Sequence, residues 1–164
     1  MNRWERILHA TDLSSASRPA FRRAVQLGRR HRAELIVLHV SFTISAYEVS
    51  VIGSRAFCAA YEADARRAGE GAVAALVTLA SRRGVRARGL VVQGIPGREI
   101  PRWAACLRVD VIVMGSSRRG GLRRLLYGST ADAVIRRAPC PVLTIGVRTG
   151  CARPAGRPPG PWPR

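Results

Sequence analysis

The chain contains no lysine: its 28 basic residues are all arginine. That absence excludes chemistry that depends on a lysine, including Walker-type phosphate loops and Schiff bases. Acids are scarce too, 10 Asp and Glu in all, so the formal net charge is +18. Aromatic residues make up only 5% of the chain, which leaves little ring surface for stacking on bases. The four cysteines, Cys58, Cys106, Cys140 and Cys151, include no C-x-x-C pair. His9, His31 and His39 add no ligand spacing to them, so no metal site is expected and buried free thiols are the default. Long apolar runs are missing as well. Stretches such as Val109–Gly115 fall far short of the ~18 residues that span a membrane. Met1–Arg6 already carries Arg3, Glu5 and Arg6, and no secretory apolar stretch follows. The expectation is a soluble, cytoplasmic protein with no membrane partner.

What is present is enough for one globular domain. The chain has 164 residues and a hydrophobic share of 47%, which excludes disorder throughout. A domain over 1–148 and a Pro/Arg-rich tail over 149–164 are expected, the tail disordered. The arginine excess has two readings. Arginine clusters attract polyanions. A chain rich in Arg, Ala, Gly and Pro but empty of Lys also fits a GC-rich genome, and these arginines are scattered along the sequence.

Strand and helix signals alternate. Arg6–Thr11 is a short apolar run, and Ser14 or Ser15 is placed to cap a helix from Ser17 to about Arg32. Glu34–Val40 (ELIVLHV) is nearly all aliphatic, as in a strand covered on both faces. Ser41–Ser54 reads as an irregular linker, Arg55–Arg83 as a long helix closed by Gly84, and Val85–Val92 as a third strand. A short helix over Gly97–Cys106, with a kink or shortened first turn at Pro101, leads to a strand over Val109–Gly115. Ser129–Arg137 is a helix ended by Pro139, and Pro141–Gly146 the fifth strand. The fold class is therefore α/β, an open parallel sheet with helices on both faces. Ligands of such sheets sit beyond the carboxyl ends of the strands.

Gly115–Ser129 (GSSRRGGLRRLLYGS) joins a strand end to a helix start. Its glycines permit close approach to a phosphate, and Gly128, Ser129 and Thr130 expose backbone amides that favour an anion. The bland alternative is that Gly115 only turns the chain and Ser129 only caps the helix.

Here the chain resembles the universal stress protein family. That family's signature is a glycine, two residues, a glycine, nine residues, then glycine and serine or threonine. HATDLS at 9–14, LHV at 38–40, VIVMGS at 111–116 and APCPVLTI at 138–145 are similar to the family at corresponding places, so the resemblance covers roughly Trp4–Val147. It implies a Rossmann-like five-stranded sheet in the order 3-2-1-4-5 and a homodimer paired through Pro141–Gly146. It also implies a stress-response regulator, with unidentified protein partners, that binds ATP, with or without Mg2+, and at most hydrolyses it slowly. Asp12 is implied beside ribose and adenine, and Val40 meets adenine through its backbone. Met114, Gly115, Gly128, Ser129 and Thr130 complete the set around ribose and phosphates. The signature's second glycine falls on Arg118. Four readings of Arg118 stand open: it fills the space of a phosphate, it blocks a positive φ that glycine tolerates, it points outward, or it pairs with a phosphate as a bidentate donor. Ala10 stands where ATP-binding relatives often carry proline. A nucleotide-free dimeric scaffold is accordingly the alternative, and a basic nucleic-acid-binding protein the last one.

Asp12 has its own alternative, capping a turn through Ser14 or Ser15. A phosphorelay receiver fails for want of a lysine and of an acid at the end of the third strand. HATDLSSAS lacks the glycines of a dinucleotide fingerprint. No carboxylate pair or Ser–His–Asp set is seen, so no catalytic residue is expected, and His9 and His39 read as core histidines.

Overall fold

A computed structural model describes residues 3–41, 46–116 and 129–146, with backbone only at 46–48 and 129. Five strands form one parallel sheet: β1 (Arg6–Thr11), β2 (Glu34–Ser41), β3 (Ala87–Gln93), β4 (Val111–Ser116) and β5 (Val142–Gly146). Their order is β3-β2-β1-β4-β5, as the resemblance implies. Every ladder is parallel, with Ile7 opposite Leu35 in β2 and Val111 in β4.

Helices α1 (Arg18–His31) and α3 (Arg55–Ser81) pack on one face, and α4 (Pro96–Cys106) and α5 (Ser129–Arg137) on the other. The aliphatic runs of β1, β2 and β4 explain this double cover. Ile7, Leu35 and Val37 enter the core with Phe21 and Val25 of α1, while Leu8, Ile36 and Ile112 meet Ile100 and Val134 from the opposite face. All of these side chains are buried. Burying each of these large aliphatics is worth about 1.5–3 kcal/mol.

Three expectations need correction. The linker over Ser41–Ser54 contains a helix, α2 (Ala46–Ile52), whose seven residues AYEVSVI are too short and too mixed in polarity to show a helical stripe. Neither Ser14 nor Ser15 caps α1 through its side chain. A single 3-10 turn, Ser15–Ser17, precedes the helix, and Ser17 is its N-cap residue with no side-chain cap bond. Pro101 sits buried inside α4, which starts one residue earlier than read, at Pro96, so its first turn is not shortened. A proline at the N1 position suits that start, because its missing donor would be unsatisfied there anyway.

The strand ends shift by at most two residues from their sequence reading. The expected tail, 149–164, lies outside the described residues. Among the described residues no helix is long and apolar enough to cross a membrane.

Candidate functional site

Strand order reverses between β1 and β4, because the chain leaves β1 towards β2 on one side and returns to β4 on the other. Crossovers leaving in opposite directions open a crevice at the carboxyl end of such a pair. The ladder lengths deepen it. β1 pairs with β2 only as far as Thr11 opposite His39, and with β4 only as far as Ala10 opposite Met114. Both neighbours continue, β2 to Ser41 and β4 to Ser116. The backbone beyond His39 and beyond Met114 therefore has no β1 partner.

A cleft of about 260 Å³ occupies this place. Asp12, Val40, Met114, Gly115 and Thr130 line it, so the fold brings together five of the eight residues singled out from the sequence. Ser129 begins α5 beside Thr130. Arg118 and Gly128 lie outside the described residues, and with them the departure from the family's signature. Leu38 of β2, Ile100 of α4 and Ala131 of α5 supply apolar wall, and Thr11, Ser17 and His39 add polar groups.

Asp12 follows the last residue of β1. Its Oδ1 accepts the Ser14 hydroxyl at 2.7 Å and the Ser14 amide at 3.0 Å. This is the turn-capping role, achieved while the residue also borders the cleft. Partial desolvation pushes its carboxyl up, but the bonds from the Ser14 side chain and backbone outweigh it, and the net shift is downwards. The group is thus a fixed carboxylate at neutral pH. Below it, Thr11 Oγ1 accepts the Leu13 amide at 3.0 Å and shares a 2.9 Å bond with Ser17 Oγ, while the Ser17 hydroxyl lies 2.8 Å from Ser14 O. Leu13 has φ of 63°, a left-handed conformation that a branched side chain adopts at a cost. The two hydroxyls and the carboxylate hold that turn closed.

The two strand histidines differ. His9 is fully buried beside Phe21 and belongs to the core, as read. His39 is only half-buried and lines the cleft, donating from Nδ1 to the Thr11 carbonyl at 3.0 Å. Its assignment to the core is corrected: it stands where β1 ends, half-buried at the rim of the cleft with its Cδ2 edge close against Gly69 of α3. Sequence reasoning also missed Ser17, Pro96 and Ala16. The 3-10 turn after β1 carries Ala16 and Ser17 to the cleft, and the start of α4 carries Pro96.

Among the described side chains no group of three His, Cys, Asp or Glu is arranged to hold a metal. The cleft offers one carboxylate, hydroxyls, open strand backbone and a helix N-terminus around an apolar floor. That combination suits binding of a partly polar ligand with an apolar face.

Comparison with known proteins agrees with this geometry. The universal stress protein family model matches residues 3–146. A universal stress protein of Methanocaldococcus jannaschii is 29% identical over 88% of this chain and 83% of its own. One from Bacillus subtilis is 30% identical over 87% of this chain and 99% of its own. Among solved structures, a universal stress protein from Lactobacillus plantarum superposes with a TM-score of 0.76 at 24% identity, covering 88% of this chain and 99% of that one. The same fold recurs in a universal stress protein solved with cAMP, at TM-score 0.63 and 21% identity over 88% of this chain and 98% of that one. It recurs again in an Archaeoglobus fulgidus protein solved with dAMP, at TM-score 0.61 and 18% identity over 87% of this chain and 98% of that one. With the family model spanning nearly all of the described chain, this protein belongs to the universal stress protein family.

Proposed function

We propose that the chain is a regulatory protein that binds an adenine nucleotide, ATP foremost, in the cleft between β1, β2 and β4. The observation that carries this reading is the cleft itself: its volume suits an adenosine moiety, and it gathers Asp12, Val40, Met114, Gly115 and Thr130. The residues present fit the ligand. Gly115 contributes no side chain to the cleft, and the strand backbone beyond His39 is open to an adenine edge. Asp12 is the acceptor for ribose hydroxyls. The start of α5, Ser129 and Thr130, and Gly128 before it, supply amides and hydroxyls for phosphates. Relatives of the same fold solved with cAMP and dAMP support an adenine ligand. The site holds and orients; among the described residues that line it, Asp12 is the one acid at hand for slow hydrolysis.

A homodimer through β5 belongs to the same reading. That strand ends the sheet and leaves Val142, Leu143 and Ile145 only half-covered, so a second copy is the natural partner for its open edge. Light scattering checks it, and a monomer at micromolar concentration refutes it. A cytoplasmic setting suits the free Cys58, Cys106 and Cys140. The domain runs over 1–148 and the Pro/Arg-rich tail follows it.

Isothermal titration of the nucleotide-stripped protein with Mg-ATP, ADP and AMP is the deciding experiment. Micromolar or tighter binding supports the reading. No heat with any of the three overturns it. If Arg118→Gly then restores binding, Arg118 obstructs the phosphates and the chain is the nucleotide-free scaffold, the second reading that this residue favours.

A further inference from the structure

Eleven arginines that are scattered in sequence gather at one pole in space, while others, such as Arg18, Arg55, Arg66, Arg67 and Arg98, stay towards the opposite end. All five strands run the same way and the crossover helices run back, so strand starts and helix ends share one pole, opposite the cleft. At that pole α1 ends in Arg29 and Arg30, with Arg32 after it. Arg82 and Arg83 follow α3, Arg86 precedes β3 and Arg88 is its second residue. α5 ends in Arg136 and Arg137, Arg3 precedes β1, and Arg108 precedes β4. All eleven of these side chains are exposed.

The described acids do not follow them. Only Glu5, Glu34 and Asp110 lie at this pole. Glu34 is paired with Arg88 at 2.9 Å, and Asp110 accepts the backbone amides of Glu5 and Arg6 at 2.6 and 2.8 Å. Asp12, Glu62, Asp64, Glu70, Glu99 and Asp132 all lie towards the cleft end. Among the described residues, Arg88 is the one arginine of the pole with a carboxylate in ion-pair range. Helix dipoles favour arginine in the last turns of α1 and α5. They do not account for Arg3 and Arg86, which precede strands, or for Arg88, at the start of β3.

We infer that this pole is a docking surface for the sugar–phosphate backbone of duplex nucleic acid. Five strands span about 19 Å, along which a duplex presents a charge every ~1.7 Å of its axis, so several arginines meet phosphates together. Guanidinium matches phosphate geometry bidentately, and arginines without acidic partners carry no ion pair that must break first. Base-specific or single-strand binding lacks its means here: Trp4, at this pole, is already stacked on His31 at 4.6 Å. The contact is therefore sequence-independent and leaves the cleft free.

The test is anisotropy titration of a labelled duplex of about 20 bp with the full, nucleotide-stripped chain, across about 50–200 mM salt. Binding is expected to weaken with salt at a log–log slope of about −3 to −5, as for four or five phosphates. Arg82→Gln/Arg83→Gln/Arg86→Gln should weaken it at least ~10-fold and flatten the slope by about 2. Arg29→Gln/Arg30→Gln/Arg32→Gln is the second probe, should the first fail to fold. Arg55→Gln/Arg66→Gln/Arg67→Gln removes the same charge from the other end and should change affinity less than about twofold. No saturable binding at the lowest salt overturns the proposal. So does an equal loss from the two ends, or polyglutamate competing as well as unlabelled duplex, since either means bulk charge alone.

Discussion

His9, in the central strand, donates its Nδ1 proton to the carbonyl of Val113 in β4 at 3.1 Å, and its buried Nε2 has no partner among the described residues. The neutral ring is what the core accepts. Burial drives its pKa down from 6.5 to about 4, against smaller upward pulls from the Val113 carbonyl and Asp12.

An acid-dependent loss of stability follows. Unfolded, His9 takes a proton near pH 6.5; folded, it resists until about 4. The unfolded state therefore binds more protons between those values, and stability rises with pH across that window. It is complete above pH 6.5 and falls by about 3 kcal/mol on acidification to 4. Urea unfolding at several pH values should show the slope, and His9→Gln should remove most of it above pH 5, where carboxylates contribute little. A pH-independent stability in the wild type refutes the assignment.

Gly97 is required by the contact between α4 and α5. A Cβ there would stand 2.7 Å from Ala133 Cβ, and neither atom has a rotamer through which to yield. Gly97→Ala gains about 1 kcal/mol of helix propensity and loses more by separating the helices, a net cost of about 1–2 kcal/mol. Thermal unfolding checks the stability. Since Pro96, Ile100 and Thr130 carry the cleft on these two helices, adenine nucleotide affinity should fall with it.

Asp12→Ala removes the acceptor of the Ser14 turn and the carboxylate of the cleft at once. Stability should drop by about 1 kcal/mol and adenine nucleotide affinity by roughly tenfold. Asp12→Asn keeps the acceptor oxygen, so it should recover much of the stability but less of the affinity. Titration calorimetry with unfolding curves separates the two roles, and unchanged affinity in Asp12→Ala removes Asp12 from the binding set.

Thiol reactivity should be ordered. Cys106 is exposed and Cys58 buried. Cys140 is half-buried, and desolvation, with the nearby charge of Asp110, pushes its thiol up. At pH 8 a thiol reagent mapped by mass spectrometry should label Cys106 before Cys140, and Cys58 last. Faster labelling of Cys140 contradicts its shielded environment.

The alternation of strand and helix was legible because ELIVLHV and VIVMG are runs that only a two-sided cover tolerates, and because the glycine–serine signature has fixed spacing. Those local patterns determined the α/β class, the strand order implied by the resemblance, and five cleft residues that lie at strand ends or helix starts. α2 was not legible, since a seven-residue helix buries too little of one face to impose a period. His39 was misread for a related reason: whether a strand residue is covered depends on where its neighbour stops, and that is a property of register. The arginines show the same limit most plainly. Along the sequence they look dispersed, and it is the shared direction of the strands and the return of the crossover helices that brings eleven exposed ones to one pole, because parallel topology puts the ends of those helices beside the strand starts.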